Sequence, residues 1–265
     1  MDDTTLAALP KIQLHEHLDG GLRPSTIVEL ADAVGYRELP EHDPDLLAGW
    51  FAATVRGGGL PGYLSTFDHT IAVLQTADAL ERVAYESIVD LAADGVIHAE
   101  VRFAPELNTR GELTMDDVLE AALHGLSRGS GETGIGAGLI VDGMRHQRRS
   151  LEAAQAAVRW RDRGVVGFDI AGPEAGFPPG DHLEAFEVAR RGDLGITIHA
   201  GEAFGLASIA EALHLCQADR LGHGVRIVDD LEGDELGPLA TGIRDRGVVL
   251  EMCPRSNVDT GAVAT

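Results

Sequence analysis

Residues Lys11–Gly20 read KIQLHEHLDG. A short run of alternating apolar residues leads into two histidines one residue apart, then an aspartate and a glycine. Along a strand, residues i and i+2 point to the same face. His15 and His17 would therefore present two imidazoles side by side at the strand's end. The arrangement reads as half of a metal site, or as a packed or hydrogen-bonded pair. The other strand ends decide between these readings.

Similar apolar, β-branched runs recur at residues 97–104 (IHAEVRFA), 135–141 (IGAGLIV), 165–170 (VVGFDI), 195–200 (GITIHA), 219–225 (DRLGHGV) and 247–253 (GVVLEMC). Helical patterns separate most of them. In the first, Thr26 and Glu29 have capping-box spacing, followed by an apolar face of Ile27, Leu30, Ala31 and Val34. A second has Ser208 and Glu211 at the same spacing, and a face of Ile209, Ala212, Leu213 and Cys216. Strands alternating with helices predict a parallel sheet. Residues 37–93 form a long, partly helical excursion after the first strand. No linker divides the chain, so residues 1–265 read as one domain.

Polar clusters stand at the ends of nearly all these runs: HEH, VRFAPE, DIAGPE, HAGE, GHG and CPRSN. A barrel brings every such end to one face. An open doubly wound sheet gathers its site near one switch point, and no GxGxxG follows the first strand. The fold class is therefore α/β, a TIM (β/α)8-type barrel with a helical insertion after strand 1. The seventh run is the last, so the eighth strand is missing from this chain.

The net charge of −22 argues against nucleic-acid polymers and anionic membranes as partners and favours a small neutral or cationic substrate. The two cysteines, Cys216 and Cys253, form no knuckle or disulfide framework, which fits a reducing cytoplasm. The acidic start, MDDTTLAALPK, lacks the apolar core of a signal peptide.

His199, at another strand end, adds a third imidazole to His15 and His17. Nitrogen and oxygen ligation of this kind suits zinc. Glu202 follows His199 by three residues, in a loop beside such a site, where it would move protons for hydrolysis; alone, it would read as an exposed loop glutamate. Asp19 reads as a binder of substrate hydroxyl or imidazole, or equally as a turn residue before Gly20. His223 is flanked by glycines, which leave room for a ligand. Gly172 would let a backbone N–H point at a substrate atom. His42, His69, His124, His146, His182 and His214 read as surface or capping groups, and His98 lies at the wrong end of its strand. Lys11 is the sole lysine and precedes the first strand, which excludes a bridging carboxylated lysine at strand four. The HxE…PCxxC zinc pattern and the GxSxG elbow are both absent.

The run PKIQLHEHLDGGLRPST resembles the opening motif of the adenosine deaminase family within the amidohydrolase superfamily. The resemblance continues in order through HAEVRFAPE, GFDIAGPE, TIHAGEAFG, DRLGHGVRI and LEMCPRSNVDTGAV. It implies a zinc-dependent barrel with one Zn2+ per chain and a place in purine metabolism. His15, His17 and His199 resemble the family's histidine ligands. Glu202 resembles its general acid/base at purine N1, and His223 the group that orients the attacking hydroxide. Gly172 matches the backbone donor to N3, and Asp19 the ribose-binding aspartate. The implied reaction converts adenosine or 2′-deoxyadenosine, a small purine nucleoside, to inosine and ammonia. Related substrates within the family are adenine, N6-substituted adenine nucleotides and an aminodeoxyfutalosine-type nucleoside; Asp19 favours a ribosyl substrate and disfavours a 5′-phosphate. A reading from a different class is a non-catalytic purine-binding barrel. Two departures stand out. The family's last metal ligand, an aspartate ending strand eight, has no match here, and Asp259 does not replace it. This predicts that the 265 residues alone are poorly folded, weakly metallated and nearly inactive. Pro173 stands where many relatives carry an acidic residue.

Overall fold

The computed structural model describes Thr5 and residues 9–264. Most of the acidic N-terminal run lies outside the described residues. Seven parallel strands follow one another around a nearly closed barrel: β1 (Lys11–His17), β2 (Val96–Phe103), β3 (Gly136–Met144), β4 (Val165–Ala171), β5 (Gly195–Ala200), β6 (Arg220–His223) and β7 (Val249–Glu251). Each is hydrogen-bonded to the next in sequence, and β1 and β7 are the two edges. These are seven of the eight strands that close a (β/α)8 barrel.

The strands have two chemically different faces. Val101 and Phe103, Leu139 and Val141, Phe168 and Ile170, and Ile196 and Ile198 are buried in one apolar core with the surrounding helices. The alternate positions point inward and become polar towards the C-terminal ends: His15, Arg102, Asp142, Asp169, His199 and Glu251. Period-2 alternation thus separates a hydrophobic coat from a charged interior.

The insertion is helical, as expected. Helix α1 (Pro24–Val34) precedes α2 (Pro44–Val73) and α3 (Ala77–Ala93). Asp43 caps α2, accepting from the Asp45 and Leu46 amides at 3.0 and 3.1 Å. Gly59 breaks α2 at φ 55°, a left-handed conformation that favours glycine. The second half of α2 then carries Tyr63 and Phe67 over the end of the barrel.

Both expected capping boxes are corrected. Helix α1 starts at Pro24, whose fixed φ suits the first helical position. Thr26 is inside the helix and donates to Glu86 Oε2 at 2.6 Å. The helix at Leu206–Ala210 is capped by Gly205, so Ser208 is likewise internal. Glu211 opens a π-helical turn and accepts from the Gly180 amide at 3.1 Å. Both apolar faces hold except at Val34, which is exposed. No helix among the described residues is long and apolar enough to cross a membrane.

Candidate metal and catalytic centre

The C-terminal strand ends enclose a cavity of about 560 Å³. Its lining includes His15, His17, Asp19, Gly172, His199, Glu202 and His223. All seven residues singled out in the sequence therefore reach one chamber.

One ring nitrogen each of His15, His17 and His199 lies within 4.8 Å of the others. His17 Nε2 and His199 Nε2 are 3.1 Å apart. His15 Nδ1 faces Glu251 Oε2 at 3.0 Å, and His199 Nδ1 faces Asp169 Oδ2 at 2.7 Å. A carboxylate only accepts, so both Nδ1 atoms donate, leaving each Nε2 with a lone pair. His15 Nε2 is buried and has no hydrogen-bond partner. An unpartnered imidazole lone pair, aimed at two others, fits a divalent cation of nitrogen-preferring type. Burial first, then the nearby Arg102 and imidazole charges, holds His15 and His17 well below the ordinary histidine range. Neutral imidazole is the ligating form. His15, His223 and Cys253 also converge, but burial pushes the Cys253 thiol up to about 12 and its Sγ–H donates to the Glu251 carbonyl at 3.4 Å. The three-imidazole set is the better ligand group.

Beneath the histidines runs a buried ionic layer whose members lie inside the motifs VRFAPE, DIAGPE and LEMC, without any local spacing that marks them. Arg102 is 0% exposed. Its two terminal nitrogens donate to Asp169 Oδ2 and Glu251 Oε2, both at 2.6 Å. Burial alone would raise the Asp169 carboxyl, but His199 and Arg102 outweigh it and hold it below the usual range. Asp142 is buried on β3 with both oxygens unpartnered, 4.0 Å from His17 Nδ1.

Glu202 lies in the loop after β5. Its Oε1 accepts from Thr260 Oγ1 at 3.2 Å, and its Oε2 is 3.7 Å from His223 Nε2. Burial raises its carboxyl above the ordinary range. The Asn257 amide donates to His223 Nδ1 at 2.8 Å, which leaves the Nε2 hydrogen facing Glu202. Burial pushes the His223 imidazole down to about 3. His223 itself adopts φ 64°, uncommon outside glycine. Asp19 follows β1 in a turn and is buried with Oδ1 unpartnered; burial pushes its carboxyl up to about 7. Its turn and cavity readings thus coexist. Gly172, at φ 99°, has Met144 and His146 where a side chain would go.

Of the remaining histidines, His182 departs from the surface reading, while His146, exposed as expected, also reaches the cavity. His182 is buried, held by Ser150 Oγ at 2.8 Å and the Arg145 carbonyl at 3.2 Å.

The adenosine deaminase family profile matches residues 10–265. An adenosine deaminase of Mycolicibacterium vanbaalenii is 55% identical, over 97% of this chain and 74% of its own length. One from Mycobacterium ulcerans is 54% identical, over 100% and 76%. Among solved structures, an adenine deaminase from Arthrobacter aurescens superposes with a TM-score of 0.82 at 26% identity, over 97% of this chain and 75% of that one. An amidohydrolase from Burkhoderia ambifaria with bound Zn gives 0.81 at 30% identity, over 97% and 69%. With the fold, the motifs in order and the polar strand ends all in agreement, the chain belongs to the adenosine deaminase family.

Proposed function

We propose that residues 1–265 form one metallohydrolase domain of a cytoplasmic enzyme that deaminates adenosine and 2′-deoxyadenosine hydrolytically. The supporting observation is the convergence of three imidazole nitrogens with Glu202 in one cavity. In this reading His15, His17 and His199 hold one Zn2+ per chain. Zinc would supply a water whose pKa is lowered towards neutrality.

The chain's own residues do the rest. Glu202 takes a proton from the attacking water and delivers it to purine N1, which makes C6 electrophilic. Its burial suits it to both halves of that transfer. His223 presents its Nε2 hydrogen towards Glu202 and the incoming oxygen. Gly172, at the end of β4, offers its N–H to N3, and Pro173 beside it offers none. Asp19 accepts or donates to a ribose hydroxyl. Addition of water at C6 gives a tetrahedral carbon. The amino group takes a proton and leaves as ammonia, so adenosine plus water gives inosine plus ammonia.

The test is to supply zinc and adenosine to these 265 residues, expected to be nearly inactive alone, and to the same residues joined to an eighth strand that ends in the family's aspartate, and to follow the loss of adenosine absorbance together with ammonia release. Glu202→Gln should lower turnover by at least about 100-fold, the range of a lost general acid/base. No turnover of adenosine alongside brisk turnover of adenine would overturn the nucleoside reading. Unchanged turnover in Glu202→Gln would remove Glu202 from its role.

A further inference from the structure

The segment from His199 to Phe204 carries both a proposed metal ligand and the proposed acid/base, yet it is an irregular loop beyond His199 and Ala200. Its four amides from Gly201 to Phe204 are held by one buried side chain. Glu174, 4% exposed, accepts from the Gly201 amide through Oε1 at 2.6 Å. Its Oε2 accepts from the amides of Glu202, Ala203 and Phe204 at 3.1, 2.7 and 2.9 Å. Four successive N–H groups on one carboxylate form a concave amide nest. Gly201 sits at φ 74°, with Ile209 Cδ1 only 2.5 Å from where a Cβ would be, so the loop has one sharp starting turn. Two residues back, Arg145 Nη2 donates to the His199 carbonyl at 3.0 Å. Arg145 is also buried, with Nε and Nη1 unpartnered. The loops after β3 and β4 thus grip both ends of the segment.

We propose that Glu174 is a positioning residue for deamination: it fixes the backbone of residues 201–204 and so holds the Glu202 carboxylate at its working distance from the His199 side of the cavity. This rests on the reading of Glu202 as the proton-transfer group. Glu174 touches neither substrate nor metal. In Glu174→Gln, an NH2 must replace one of the two oxygens and face an amide donor, and the loop must shift. A displacement of about 1 Å in a positioned group lowers rate by roughly 100-fold.

Two measurements on the zinc-loaded protein test this. Hydrogen exchange should find the amides of 201–204 protected, and exchanging at least about 10-fold faster in Glu174→Gln while the strands exchange as before. Turnover in Glu174→Gln should fall roughly 10- to 100-fold with KM, bound zinc and melting temperature little changed. In a Glu202→Gln background the same substitution should cost nothing further, because its effect runs through Glu202. Glu174→Asp keeps the charge and withdraws it by one methylene; it should give an intermediate loss, and it serves as the test if the glutamine variant does not fold. Unprotected amides in the unmutated protein overturn the cradle whatever the activity. An equal fall in both backgrounds, or a loss of zinc with activity, overturns the positioning role. If the unmutated protein deaminates no adenosine, the functional reading fails, while the exchange data still judge the cradle.

Discussion

Arg102→Met is the substitution that best probes the ionic layer under the three histidines. Arg102 is fully buried and bonded at 2.6 Å to each of two carboxylates. Breaking a buried ion pair by removing one partner destabilises by about 3–5 kcal/mol. The lower figure applies here, because neither carboxylate is abandoned. Asp169 keeps the His199 Nδ1–H at 2.7 Å and the His199 amide at 3.0 Å. Glu251 keeps Thr197 at 3.0 Å, Arg220 at 2.9 Å and His15 at 3.0 Å. Methionine fills comparable volume, so cavity cost is small. The expected loss is about 3 kcal/mol, a large share of the 5–15 kcal/mol of a typical domain. The substitution also removes a positive charge that helps hold His15, His17 and His223 low. Their imidazoles become more basic, protons compete better with metal, and zinc affinity fails at a higher pH than in the unmutated protein. Urea unfolding of the metal-free protein measures the first effect; chelator competition across mildly acid to mildly alkaline pH measures the second. A loss below about 1 kcal/mol, the value of an exposed pair, with an unmoved pH midpoint would refute the layer's role.

Gly222→Ala places a methyl 2.9 Å from His15 Cε1 and 3.3 Å from His199 Cα, so one of two proposed ligands must move; overpacking of this kind costs about 1–3 kcal/mol, and zinc affinity should fall with it, whereas unchanged affinity would mean that His15 is free to swing aside. Glu106 is buried with Oε2 unpartnered, and burial pushes its carboxyl up to about 7. A raised carboxyl contributes stability that is present below its unfolded pKa and lost as pH rises through the folded one. Glu106→Gln should therefore match the unmutated protein in acid and exceed it above neutrality, by up to roughly 3 kcal/mol; equal unfolding midpoints at alkaline pH would contradict this.

The barrel was legible because its evidence is local. Each strand carries its own alternation and its own polar terminus, and HEH, HAGE and GHG need no knowledge of one another to be noticed. The helix starts were misread for a related reason. A Ser/Thr–x–x–Glu spacing is local too, but Pro24 and Gly205 set the first turns earlier, and Thr26 and Glu211 then found partners far along the chain. His182 reads as a surface or capping group because nothing adjacent to it predicts Ser150 and the Arg145 carbonyl as neighbours.

The orienting groups were hidden by distance. His15 and Glu251 are 236 residues apart, Arg102 and Glu251 are 149, and His199 and Asp169 are 30. No spacing rule spans such separations. A weaker signal was nevertheless present. Asp169 in GFDIA and Glu251 in VVLEM are single charges inside apolar strands, and Arg102 in EVRFA follows Glu100 at the polar positions of its strand. Once the barrel is accepted, one strand face is covered by helices, and their apolar neighbours Val101, Phe103, Phe168, Ile170 and Leu250 pack on that side. The charges must then point inward, where an arginine among acids has to pair. The same logic accounts for Gly222. The β5–β6 register sets it opposite His199, and the His15 ring fills the space that its side chain would occupy. The glycine before His223 therefore makes room for the His15 imidazole, a role that only the assembled barrel can assign.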